Sequence, residues 1–267
     1  MTHCRTYQIL FITLLIVCLP VFAVEGTDDA ATRGLEIATE SKARDLGWKD
    51  SQGNLKMILK NQHGQTSTRE LHIKTLEQEN DGDKALTVFD SPKDVKGTSF
   101  LSFSHASVDD EQWLYLPALK RVKRISSRNK TGSFMSSEFS FEDMTSFEVE
   151  KFDYAYLRDE EVDGADCYVL DNFPKDKNSG YSHRVTYIDK DEYRLRKVEF
   201  YDRKDVLLKT LTMTKFSLHK DKYWRPMELH MVNHQSGKST LLSWHEYHIG
   251  SDLNEKDFNK NALKRAR

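Results

Sequence analysis

The stretch "WLYLPALKRVKRI", residues 113–125, decides the fold. Trp113 and Tyr115 alternate with Leu114 and Leu116, so a strand here is apolar on both faces. Such a strand needs cover on both sides, from a sheet interior on one and from a loop or helix on the other. Past Pro117 the segment turns basic. Lys120, Arg121, Lys123 and Arg124 surround Val122, and six positive charges with no acid lie between Lys120 and Lys130. A run of this kind is a solvated face or a docking patch for an acidic partner or anionic head groups. The reading adopted puts the apolar half on the wall of an interior cavity. The basic half then forms the outer wall of the same sheet.

Outward from this stretch the period of two persists. Leu55, Met57 and Leu59 alternate with mostly polar residues, His63-Gly64 turns the chain, Leu71 and Ile73 alternate next, and Asn80-Asp81-Gly82-Asp83 marks another turn. The pattern recurs at Leu86–Phe89, Thr98–Ser104, Val149–Arg158, Cys167–Asp171, His183–Ile188, Leu195–Tyr201, Val206–Phe216, Met227–His234 and Thr240–Ile249. Roughly 11 to 13 short strands predict a mainly β protein, an antiparallel sheet curled towards a barrel. Two segments break the pattern. Ser126–Met144 reads as a loop with a short helix around Phe141–Met144, and Asn254–Arg267 as a terminal helix anchored by Phe258 and Leu263.

Before the strands comes one helix. Thr27 can cap it, Asp28 and Asp29 suit its N-terminal end, and Gly47 marks its stop. Ala31, Leu35, Ala38 and Leu46, with Ile37 beside them, give it an apolar face broken at Lys42. Residues 1–23 read as a cleaved secretory signal peptide: Arg5 near the start, an apolar run Ile9–Leu19 broken by Thr13, and Val21-Phe22-Ala23 at the exit. A membrane anchor needs about 20 apolar residues, and this run is only eleven residues long, Thr13 included. A lipobox at Leu15–Cys18 fits poorly, since Val17 is bulky where a small residue is wanted. Residues 24–267 then form a single domain.

The whole chain of 267 residues carries 40 Lys and Arg against 42 Asp and Glu, a balance that gives no global attraction to nucleic acid. Of three cysteines only Cys167 survives removal of residues 1–23, so an exported fold must hold by its core without an internal disulfide. Chemistry finds little purchase. No Gly-x-Ser-x-Gly is present, and Cys167 sits in a predicted strand with no histidine nearby in sequence. "GKST" at 237–240 imitates the end of a phosphate-binding loop, but Val232 stands where its first glycine belongs and a strand follows. Asn129-Lys130-Thr131 is a glycosylation triplet with no meaning in a bacterial source.

The last hairpin is the most readable. A turn at Ser236-Gly237 would place Met227, Leu229 and Met231 on one face with Leu242 and Trp244, a dry wall of either a packed core or a cavity. The opposite face carries Glu228, His230, His234, Ser243 and His245. With that pairing His230, His245 and Glu228 could approach a zinc ion, whereas His230 and His234, four apart on one strand, stand about 13 Å apart. An exposed polar face is the simpler account, and no metal site is expected.

"PKDVKGTSFL" (92–101), the opening stretch and "GSFMSSEFSFEDM" (132–144) together resemble the LolA-like family of outer-membrane lipoprotein-sorting proteins, in the broader branch associated with exporters of the resistance-nodulation-division (RND) type. The opening helix, "RKVEFYDRKDVLLKTL" (196–211) and the closing helix fall in the matching order, so the likeness covers most of residues 24–267. The resemblance implies an incomplete β-barrel of about 11 strands with helices covering its concave side, and a cavity for acyl chains with no cofactor and no catalysis. Phe134, Met135, Phe139, Phe141 and Met144 would belong to the insert over that cavity, with Trp113, Tyr115 and the dry face of the last hairpin on its walls. A periplasmic, monomeric carrier of lipid or lipoprotein is implied. The alternative is an accessory protein docked on an inner-membrane RND-type exporter through Lys120, Arg121, Lys123 and Arg124. One departure stands out: where the branch begins the segment after Phe134-Met135 with glycine, this chain has Ser136-Ser137, which argues against a tight turn there.

Overall fold

The structure, a computed structural model, describes Met1 and residues 26–265. Apart from Met1, the expected signal peptide and its cleavage after Ala23 lie outside the described residues. Thirteen strands form one antiparallel sheet. Six run as a meander: β1 (Asp50–Lys60), β2 (Thr66–Leu76), β3 (Lys84–Ser91), β4 (Ser99–Phe103), β5 (Glu111–Leu116) and β6 (Arg121–Ile125). Seven more form a second: β7 (Phe152–Val162), β8 (Ala165–Pro174), β9 (Tyr181–Asp189), β10 (Leu195–Asp202), β11 (Leu207–His219), β12 (Tyr223–Asn233) and β13 (Ser239–Ile249). β1 pairs with β13 and joins the two, so β6 and β7, consecutive in the chain, are the two edges of a sheet that does not close. The expected open barrel is therefore present, its thirteen strands at the upper end of the roughly 11 to 13 read from the alternation.

The strand boundaries follow the alternation, but the last hairpin turns differently. Leu229 pairs with Leu242 and Glu228 with Ser243, a register offset by two from a Ser236-Gly237 turn. The loop closes instead by Asn233 N–H to the Lys238 carbonyl (2.9 Å) and Gly237 N–H to the Asn233 carbonyl (3.0 Å), while the Asn233 side chain accepts from the amides of Gln235 and Ser236. An even offset leaves every side chain on its expected face. Leu229, Met231 and Leu242 share the dry side as read.

Helix α1 (Gly26–Arg44) lies on the inner face at the β7 edge and stops before Gly47, whose φ is +97°. Its buried side is only part of the expected one. Leu35 and Leu46 are exposed at 48% and 41%, and Ile37 and Ala38 are buried against Tyr154, Leu170 and Ile188. Gly34 is the cause. A Cβ there would stand 2.9 Å from the Tyr156 amide nitrogen, so only glycine lets the helix rest on the β7 backbone and rotate its Ile37–Ala38 side inward.

The closing helix also departs from expectation. α2 (Lys260–Arg265) covers the outer face: Phe258 and Leu263 pack against Leu86, Val88, Leu101 and Trp113, and Ser99 Oγ donates to the Leu263 carbonyl at 2.6 Å. The inner face is covered by α1 and by the insert 126–151 between the two edge strands.

Candidate ligand-binding cavity

The inner face has a filled half and a hollow half. Over β1–β6 the insert sits as a plug. Phe134 is fully buried, its ring 5.1 Å from Phe100, 5.7 Å from Phe141 and 6.0 Å from Phe89, centroid to centroid. Leu55, Met57, Leu71, Leu114 and Ile125 complete this core. Polar anchors fix the plug: Arg69 donates to the Met135 carbonyl, Gln112 Nε2 to the Phe141 carbonyl (2.7 Å), and the Glu138 amide to Thr240 Oγ1 (3.0 Å). The tight turn that Ser136-Ser137 argued against is present. Met135 and Ser136 take φ of +50° and +63°, and the Ser137 amide and hydroxyl both donate to the Phe134 carbonyl, at 2.9 and 2.6 Å. Those two bonds and the surrounding aromatic packing offset the cost, about 1–2 kcal/mol per residue, of left-handed backbone without glycine.

Where the plug reaches across to the second meander it meets a buried ion pair. Lys209 Nζ on β11 lies 2.6 Å from Asp143 Oδ2 and donates to the Glu138 carbonyl at 2.9 Å, with the two side chains 4% and 6% exposed. Asp143 also accepts from Tyr181 Oη (2.7 Å) and the Ser140 amide (2.7 Å). Burial pushes its carboxyl up, but the Lys209 ammonium and these donors outweigh it and hold the group below its ordinary value.

Beyond that pair the inner face opens into a cavity of about 1500 Å³ between α1, the insert and strands β8–β12. Leu170, Ile188, Val198, Phe200, Leu211 and Leu229 form its apolar floor, and Trp48 and Trp224 border it. Most charges of its wall are paired: Arg225 with Asp45 (2.5 Å), Arg194 with Asp189 (2.7 Å), Lys130 with Asp176 (2.5 Å) and Lys151 with Asp110 (2.5 Å). Asp83, also on the wall, is pushed by burial up to about 7, against the pull of Lys42. The volume exceeds the roughly 300–1,000 Å³ of ordinary small-molecule pockets, and the arrangement suits a long apolar guest.

Of the residues singled out in the sequence, Phe139 and Leu229 border this cavity. Phe134, Met135, Phe141, Met144, Met231, Leu242 and Trp244 belong to the filled core beside it, and Met227 is half-buried away from its wall. Trp113 and Tyr115 are corrected outright. Gln112, Leu114 and Leu116 point inward, so Trp113 and Tyr115 face outward, where Trp113 lies under α2. The basic segment is corrected too. Lys120, just before the terminal strand β6, and Arg121, Lys123 and Arg124 on it are exposed, but Lys123 pairs with Leu114 and Arg121 with Leu116, on the inner side, and Arg124 with Trp113 on the outer. They mark an edge rather than one wall, as cations on edge strands commonly do. The floor residues of β8–β11 escaped notice. Their alternation was visible, but nothing in it separates a position under a plug from one under empty space.

Other candidates fall apart on geometry. His230 stands opposite Leu241, which leaves His245 four positions further along the neighbouring strand, about 13 Å away. Among the described residues no three His, Cys, Asp or Glu converge to hold a metal ion. Cys167 is fully buried in β8, and burial pushes its thiol up to about 11. No described helix is long and apolar enough to cross a membrane.

A family model described as "Uncharacterized protein" matches residues 81–265. An outer membrane lipoprotein-sorting protein domain from Vibrio parahaemolyticus is 57% identical, with a TM-score of 0.87 over 88% of this chain and all of that one. A DUF1329 family protein from Desulfovibrio piger is 31% identical, with a TM-score of 0.83 over 88% of this chain and 99% of that one. A LolA superfamily protein from Nitrosomonas europaea shares the fold at 19% identity, with a TM-score of 0.68 over 86% of this chain and 98% of that one. No curated protein matches the chain. With its open sheet, its plug and its close likeness to the first two structures, the chain belongs to the family of the outer membrane lipoprotein-sorting protein domain and the DUF1329 protein, and it shares the fold of the LolA superfamily.

Proposed function

We propose that the protein is a periplasmic carrier, not an enzyme, that shelters the acyl chains of a lipid or lipoprotein in the hollow half of its sheet and passes them between membranes. The observation that carries the reading is the cavity of about 1500 Å³ floored by Leu170, Val198, Phe200, Leu211 and Leu229. Burying a 14-carbon chain at about 0.8 kcal/mol per methylene is worth roughly 11 kcal/mol before the costs of association are subtracted. That is enough to keep a lipid out of water in transit. Release then requires a partner that favours an altered cavity, since a carrier with equal affinity in all states would deliver nothing. The sorting role named for the Vibrio parahaemolyticus domain supports the same reading.

Mass spectrometry of an organic extract of the purified protein tests it, with co-purified lipid expected. Trp48 and Trp224 should change fluorescence on titration with a 14-carbon fatty acid. An extract free of lipid together with a silent titration would remove the carrier reading. A second reading, docking on an RND-type exporter, is favoured by the exposure of Lys120, Arg121, Lys123 and Arg124 together along one terminal strand and the turn that leads into it. Reversing all four charges should abolish association with inner-membrane exporters while leaving lipid content unchanged. Association that survives the reversal rejects that reading.

A further inference from the structure

We infer that Arg184 is the receptor for an anionic group on the bound amphiphile, so that the cavity selects a chain ending in a carboxylate or phosphate over an uncharged one. The inference rests on the carrier reading and names its substrate class. Arg184 projects from β9 into the cavity wall, between Asn172 on β8 and Phe200 on β10, its paired neighbours across the sheet. Its guanidinium lies 4.0 Å above the Phe152 ring, and its Nε is buried without a partner.

The other arginines of the wall are neutralised by carboxylates: Arg44 by Glu40 (2.7 Å), Arg194 by Asp189 (2.7 Å) and Arg225 by Asp45 (2.5 Å). Arg184 has no such partner among the described residues. The nearby acids are committed elsewhere. Glu142 accepts from Ser179 Oγ (2.6 Å) and the Gly180 amide (2.9 Å), and Asp143 is held by Lys209. A buried polar group left without a partner is costly, and an arginine fork held over an aromatic ring can offer its free donors to a bidentate anion. Arg184 is level across the sheet with Phe200 and with Lys209, which holds the insert's Asp143, whereas Val198, Leu211, Met213 and Leu229 continue the floor along the strands away from that level. A head group at Arg184 would therefore lay its chain along the apolar floor.

Calorimetric titration of the purified, delipidated protein at pH 8 with dodecanoate, dodecyl phosphate and dodecanol tests this. Wild type should bind at least one of the anions about ten- to a hundredfold more tightly than the alcohol; which anion is the tighter identifies a carboxylate or a phosphate source. Arg184→Met should lose that preference while keeping the alcohol affinity, and Arg184→Lys should retain part of it. Equal affinity of wild type for acids and alcohol overturns the inference while leaving the carrier reading intact. An undiminished preference in Arg184→Met overturns it as well, and so does a loss of alcohol affinity in Arg184→Met that matches the loss for the anions. If none of the three binds wild type, the carrier reading itself falls and this inference with it. The wild-type comparison stands even if the variants fold poorly.

Discussion

The two halves of the inner face are built from the same alternating strands and end up as opposites. Over β1–β6 the inward positions are mainly apolar, Leu55, Met57, Leu71, Phe89, Phe100 and Leu114, the polar Arg69 and Gln112 among them being bonded to the insert, which fills the space above with three phenylalanines. Over β8–β12 the inward positions mix Leu170, Val198 and Leu211 with Asn172, Arg184 and Thr186, and the space stays open. A mainly apolar wall must be covered because exposing its apolar surface to water costs about 25 cal/mol per Å². A wall relieved by polar groups can stand empty until a guest arrives. The insert thus acts as a permanent occupant of one half, and the other half is left for an occupant that comes and goes.

The largest expected effect tests the filled half. Phe134→Ala should lower the unfolding free energy by about 3–5 kcal/mol in urea titrations, with fatty-acid affinity at the hollow half unchanged within about threefold. A collapse of affinity alongside stability would show that the halves are not separable. Next comes the ion pair between them. Lys209→Met leaves Asp143 buried and uncompensated, at a cost of about 3 kcal/mol near pH 7. In wild type the Asp143 carboxyl lies below its ordinary value, so its contribution is present above the unfolded pKa and is lost as pH falls through the folded one. In Lys209→Met acid-induced loss should shrink, because the unpaired carboxyl then prefers its proton. The double variant with Asp143→Asn should recover much of the stability. A Lys209→Met protein as stable as wild type at pH 7 would rule out the pair as a fastening.

At the rim of the hollow half, Asp83 gives a pH dependence of the opposite sign. Its folded pKa of about 7 exceeds the ordinary carboxyl value, so the folded state holds the extra proton. Its contribution is full below the unfolded pKa and fades as pH rises through about 7. Asp83→Asn should therefore raise stability at pH 8 relative to wild type by about 1–2 kcal/mol and flatten the decline between pH 5 and 8. Thermal melts across that range would expose an error if the two proteins track each other. The smallest change in stability should come from filling the hollow. Leu229→Trp should shift the unfolding free energy by less than about 1 kcal/mol yet weaken binding of a 14-carbon chain about tenfold by taking its space. Unaltered binding would place the guest elsewhere.

Much of the architecture was readable from alternation alone, because most strands have one wet and one dry side and they recur with turn residues between. The sense of each covering element was not. Leu35 on α1 scans as core, yet the side of the helix is set by Gly34 against the β7 backbone, a contact with a residue more than a hundred positions away. Trp113 scans as cavity because an apolar strand needs cover on both sides, and periodicity cannot say which cover is α2 and which is the plug. The ion pair of Lys209 with Asp143 and the unpaired Arg184 depend on strands meeting across the sheet. Their residue types alone carry no trace of it.

The junction of β1 with β13 sets how this molecule must assemble. Every other neighbour in the sheet is a hairpin partner that can form as soon as two adjoining strands exist, whereas Ser51 meets Ile249 only after nearly the whole polypeptide has been made. Two local meanders can therefore mature independently, and the seam between them is the one strand pairing of high contact order, the step on which the overall folding rate turns. A nascent chain would hold β1 as a bare edge until its final strand arrives, and in that interval a chaperone has the most to protect.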